Sequence, residues 1–113
     1  MFNALAKLIS FKTADLEAKL SGVAGFTGYG ELEYSSWSNG HVSYEVELRG
    51  VAGTKAEIYV NNEFVSITPV NNGKSDQNFD TRRGHAYFLA DVGDKVEIRQ
   101  HGDVILEGAF VND

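Results

Sequence analysis

The stretch Gly30-Glu31-Leu32-Glu33-Tyr34-Ser35-Ser36-Trp37-Ser38-Asn39-Gly40-His41-Val42-Ser43-Tyr44-Glu45-Val46-Glu47-Leu48 decides the fold class. Two runs of alternating apolar and polar residues flank a turn-forming tripeptide. That is the period of strands, whose successive side chains point to opposite faces. Loop length then sets the register. A two-residue Asn39-Gly40 loop would put Leu32 and Tyr34 opposite Glu47 and Glu45. A three-residue Ser38-Asn39-Gly40 loop pairs Tyr34 with Tyr44 and Leu32 with Val46, and gives Gly40 the left-handed position such a loop wants. The second register is predicted. It sends Glu31, Glu33, Trp37, His41, Glu45 and Glu47 to the opposite face.

Two further hairpins are expected downstream. Lys55 to Val60 and Glu63 to Thr68 flank Asn61-Asn62, residues that tolerate positive φ and suit a two-residue turn. That register pairs Ala56 with Ile67 and Ile58 with Val65 toward the core, and Tyr59 with Phe64 outward. The segments 53–65 and 93–105 align at an offset of 40, with four of thirteen positions identical, so the third hairpin reads as a copy of the second. A true repeat and two hairpins obeying the same rules both account for this. Asn71 to Asp80 reads as a polar loop and Ala86 to Leu89 as a short strand. Upstream, Leu16, Leu20 and Val23 would suit a helix ended by Gly22. The unbroken alternation of Asp15 to Ser21 fits a strand better, with the glycines from Gly22 to Gly30 as a connection or bulge.

About eight short strands set between Gly, Asn and Asp turns, with one-sided apolar faces, predict an all-β antiparallel sandwich, immunoglobulin-like or jelly-roll-like, over residues 13–113. Ahead of it, Phe2, Leu5, Leu8 and Ile9 recur at helical spacing, which predicts a short amphipathic helix within residues 1–12. So short a helix is unstable alone and must lean on something.

Composition narrows the function. The 113 residues are enough for one core without staples, and the absence of cysteine removes disulfides, thiolate nucleophiles and Cys-based zinc sites. A net charge of −6, from 16 acidic and 10 basic residues, argues against nucleic acid. Asn3, Lys7 and Ser10 interrupt the leading apolar run, so neither a signal peptide nor a span is read there, and the cytoplasm is the expected compartment.

Catalysis finds little footing. There is no Gly-x-Ser-x-Gly elbow, and His41, His85 and His101 stand at no metal-ligand spacing. The carboxylates Glu31, Glu33, Glu45 and Glu47 have the separation a glycosidase needs but sit on a flat hairpin face, where they serve solubility and guard edges. Asp76, Asn78 and Asp80 repeat the opening oxygen spacing of a calcium loop. Thr81 stands where its glycine belongs and Tyr87 where its bidentate Glu belongs, which rules out an EF-hand and leaves a simpler calcium site. No cofactor is expected, and the chain reads as no enzyme.

Leu20-Ser21-Gly22, followed by glycines up to Tyr34, resembles the opening of CHRD-type β domains over about a third of the chain. The His-x-His that helps mark those domains is replaced by Ile58-Tyr59-Val60, so no site is carried across.

Two kinds of surface remain. The outward pair Tyr59 and Phe64 calls for a cover, and Phe2, Leu5, Leu8 and Ile9 could supply it from the same chain or a neighbour. Trp37 on the acidic face could be a platform for a sugar or a partner's side chain. The expectation is a non-enzymatic structural or binding module, docking on a protein partner or forming a homo-oligomer through its N-terminal segment. The alternative is a carbohydrate- or ligand-binding adhesion module that uses calcium. A membrane-surface role has only Lys7 and Lys12 to meet anionic lipid and is the weakest.

Overall fold

The computed structural model describes residues 10–113, which form eight antiparallel strands and one short turn of 3-10 helix. The strands are β1 (Lys12–Gly22), β2 (Tyr29–Trp37), β3 (Val42–Arg49), β4 (Lys55–Val60), β5 (Glu63–Pro69), β6 (Lys74–Asp80), β7 (Lys95–Gln100) and β8 (Asp103–Asn112). They make one continuous sheet in the order β5-β4-β7-β8-β1-β2-β3-β6. The consecutive strands β5 and β6 therefore lie at opposite ends of that order, yet only Val70 to Gly73 connects them. A link this short forces the sheet to curl until its two edges nearly meet. At that corner Thr68 Oγ1 and Ser75 Oγ are 2.6 Å apart, both buried, and Ser66 Oγ lies 3.2 Å from the Tyr44 hydroxyl. All-β antiparallel architecture is as expected, in a sheet nearly closed into a barrel.

The first hairpin has the predicted register, with Tyr34 opposite Tyr44 and Leu32 opposite Val46. Gly40 sits at φ 88°, where an added side chain would be strained. β1 is a strand, as its alternation requires, and buries Leu16, Ala18 and Leu20. Side chains from all eight strands meet in one core. Leu32, Val46, Leu48, Ile58, Ile98 and Phe110 lie in it, almost wholly out of water.

The second hairpin departs from expectation. Asn61 and Asn62 take φ 50° and 67°, as its turn demands, and Tyr59 faces Phe64. A bulge opposite Ile58 and Tyr59 then slips the register by one residue, so Ile58 pairs with Ser66 and Ala56 with Thr68. A slip of one residue exchanges the faces of everything beyond it. Ile67, expected inside, is 48% exposed, and Thr68 takes the core position, satisfied by Ser75.

The third hairpin carries its turn at His101-Gly102 and a bulge at the equivalent place, with Ile98 opposite Leu106 and Arg99 opposite Val104. β4 and β7 pair so that Ile58 faces its offset-40 equivalent Ile98, Glu57 faces Arg99 and Tyr59 faces Glu97. A local two-fold axis through Ile58 and Ile98 thus relates the two hairpins.

Two further expectations are corrected. The polar loop expected over Asn71 to Asp80 is mostly strand β6. Its inward positions are Ser75, Gln77 and Phe79, so two polar residues mask the alternation. Ala86 to Leu89 is not a strand. Its backbone carbonyls accept from tyrosine hydroxyls instead, Tyr44 to Ala86 at 3.2 Å and Tyr34 to Phe88 at 3.0 Å, while the Phe88 ring packs against Tyr34, Tyr44 and Phe110. This segment closes one mouth of the curled sheet. Of the helix expected within residues 1–12, residues 1–9 lie outside the described residues. Ser10 and Phe11 are irregular and Lys12 opens β1.

Candidate functional site

The outer surface divides along the sheet. On β1, β2 and β3 the register sets Glu31 opposite Glu47, Glu33 opposite Glu45, and Glu17 opposite Glu33. Like charges directly opposed across strands are destabilising. Carboxylate oxygens of Glu17, Glu31 and Glu33 lie within 4.8 Å of one another. A hydrogen bond with Glu17, aided by partial burial and the charges of Glu33 and Glu17, pushes the Glu31 carboxyl up to about 7. Partial burial, with Asp113 and Glu45 nearby, raises Glu33 as well. The predicted acidic face is therefore real, and Glu17 joins it from β1.

Tyr29 stands at one end of that face, exposed. A depression of about 320 Å³ opens beside it, lined by Lys19, Leu20, Tyr29, Gly30, Glu31, Glu47 and Arg49. Arg49 is held by both carboxylate oxygens of Asp76, at 3.1 and 3.3 Å. Sequence reading passed over Tyr29. Its odd position on β2, in step with Glu31 and Glu33, was the available signal.

Trp37 stands at the other end. Its ring stacks on His41 at 4.4 Å between centroids, and the Lys12 ammonium lies 5.6 Å from its centroid. One face of the Trp37 ring is thus covered by His41.

Asp76, Asn78 and Asp80 do not converge. They follow one another along strand β6 at every second residue, roughly 7 Å apart at each step. Asp80 is also committed elsewhere. It accepts from the Arg82 backbone N–H at 2.8 Å, from the Arg82 guanidinium, and at 2.8 Å pairs with His41 Nε2. These partners, Arg82 foremost, hold its carboxyl well below the usual carboxylate range. The Asp80 backbone N–H donates to His85 Nδ1, and His101 occupies a left-handed turn position. All three histidines thus have structural places. Among the described residues, every buried side-chain polar atom has a partner.

The other half of the sheet, β5-β4-β7-β8, carries the outward pair Tyr59 and Phe64, edge to face at 5.7 Å. Tyr59 has a cover the sequence did not suggest: the Arg99 guanidinium lies 3.9 Å from its ring centroid. Arg99 also binds the buried Glu97, donating from Nε at 3.2 Å and from a terminal nitrogen. Phe64 and Ile67 remain about half exposed on β5.

The closed mouth is the third outer region. Phe88 points inward, so its neighbours point out: Tyr87 is 57% exposed, Leu89 77% and Val92 56%. The chain enters at the same end. The Phe11 carbonyl accepts from the Ser38 N–H at 2.8 Å, the Phe11 N–H donates to Ser38 Oγ at 3.2 Å, and the Phe11 side chain is 64% exposed. Phe2, Leu5, Leu8 and Ile9, the sequence's partner-binding candidates, lie outside the described residues.

No family model and no curated protein matches the chain. Among the described residues no helix is long and apolar enough to cross a membrane.

Proposed function

We propose that the domain is a non-enzymatic structural or binding module that associates with a protein partner, or with further copies of itself, through its N-terminal segment. One observation carries the reading. The end of the sheet where residues 1–9 attach also exposes Phe11, Tyr87, Leu89 and Val92. Exposed apolar side chains gathered around the attachment point of an apolar leading segment are the composition of a contact surface. The non-enzymatic part rests on the structural places of the three histidines. Within the same reading, the halves β5-β4-β7-β8 and β1-β2-β3-β6 act as the two facing layers of a sandwich.

Light scattering on the whole chain and on a chain lacking residues 1–9 tests it. The eight strands and the core described above all lie within residues 10–113, and circular dichroism checks that the shorter chain keeps them. The whole chain is expected to scatter as an oligomer and the shorter one as a monomer. Equal masses for both would sink the reading.

A second reading, a module for a carbohydrate or similar small ligand, is favoured by the depression beside Tyr29. An exposed ring flanked by Lys19, Glu31 and Glu47 can stack a pyranose and meet its hydroxyls. It moves the platform from Trp37 to Tyr29. Equal binding by the wild-type and Tyr29→Ala proteins across a glycan panel would dispose of it.

A further inference from the structure

We infer that the ridge formed by Tyr87, Leu89 and Val92 is the seat of residues 1–9 from a second copy of this chain, exchanged reciprocally between two protomers. The inference rests on the docking reading above and names its partner and its seat. Three observations point to it.

The first is the shape of the ridge. The loop across the mouth is held from beneath by the Tyr34 and Tyr44 hydroxyls and by the Phe88 ring, so it is a fixed element rather than a loose tip. Its alternation turns Tyr87 and Leu89 outward together. A supported apolar ridge in water gains from any apolar cover, at roughly 25 cal/mol for each Å² removed from solvent.

The second is how the leading segment is tethered. Phe11 is pinned to Ser38 by two hydrogen bonds, so Ser10 alone separates Ile9 from a fixed strand. Connections that reverse a chain between elements take about two to six residues. A turn back onto the same mouth would therefore have to be made from Ile9, Leu8 and their neighbours, the residues that are to cover it. Nine residues do span up to roughly 30 Å when extended, enough to cross to a neighbour. Exchange in both directions covers both ridges and closes the assembly as a two-fold dimer.

The third is charge. Each copy carries −6, which opposes association. Lys7 is the only charged side chain in residues 1–9, and the exposed Asp91 lies between Leu89 and Val92 on the ridge. The segment brings a cation to a loop that offers an anion.

The chain's lack of cysteine makes the test direct. Leu8→Cys and Leu89→Cys are made separately, mixed and oxidised, with Leu8→Cys mixed with Ile67→Cys as the control for an exposed apolar position elsewhere. Proximity in an exchanged dimer predicts about tenfold more disulfide-linked dimer from the first mixture than from the control. In the double variant Leu8→Cys/Leu89→Cys, linkage confined to single chains would overturn the exchange and leave the docking reading standing. Absence of linkage in both, with the whole chain still oligomeric by light scattering, would overturn the ridge as the seat. A monomeric whole chain would overturn the docking reading itself.

Discussion

The two halves of the sheet share one core and solve the outer-surface problem in opposite ways. On β5-β4-β7-β8 each difficult group has a partner: Glu97 is buried but bound by Arg99 and flanked by Lys95, and Arg99 in turn covers Tyr59. On β1-β2-β3-β6 carboxylates are set directly opposite one another, and their crowding raises the Glu31 carboxyl to about 7. One half is stabilised by ion pairs, and the other carries a carboxyl raised to about 7.

The largest effect should come from separating the halves. They join at β8 and β1, where Gly108 passes so near the neighbouring strand that a Cβ would lie 2.1 Å from the Lys19 carbonyl oxygen. Gly108→Ala should therefore cost about 4 kcal/mol or more in a chemical denaturation. A cost under 1 kcal/mol would mean the join is looser than described. Next comes the compensated half. Arg99→Met should lower the denaturation midpoint, by less than orphaning a fully buried charge would, because Arg99 is itself part-exposed. A neutral result would show that Glu97 does not depend on Arg99.

The smallest effect is on the acidic half. The Glu31 pKa is raised in the folded state from 4.5 to about 7, so the folded chain binds more protons than the unfolded one between those values. Its contribution is full below pH 4.5 and is lost as pH rises toward 7. Glu31→Gln should flatten that slope and raise stability at pH 8 by up to about 1 kcal/mol. Melting curves from pH 4 to 8 decide it, and an unchanged slope would contradict it. Asp80 has the opposite sign: its contribution is present above the ordinary carboxylate range and is lost only in stronger acid.

Legibility followed the clarity of alternation. β2 and β3 could be placed to the residue because Leu32, Tyr34, Val46 and Leu48 alternate with charges. β6 was hidden because a Thr68–Ser75 hydrogen bond lets a serine occupy a core position. The bulge in β5 was hidden because Val65 and Ile67 are equally apolar, and only the pairing with β4 says which faces in. The acidic face was legible within one hairpin, but Glu17 reached it through the β1–β2 pairing, which no local pattern specifies. Calcium spacing misled for a related reason: alternate oxygens converge in a loop and diverge along a strand. The ridge at the mouth was missed because Ala86 to Leu89 alternates like a strand while its hydrogen bonds go to two tyrosines far away in sequence.

Hydrogen–deuterium exchange on the whole chain and on residues 10–113, at matched high concentration, tests the central claim most directly. Backbone amides from Ala86 to Val92 should exchange more slowly in the whole chain, with no change along β2 and β3. Identical rates in the two proteins, or slowing confined to the acidic strands, would contradict the claim that this domain associates through its mouth and its leading segment.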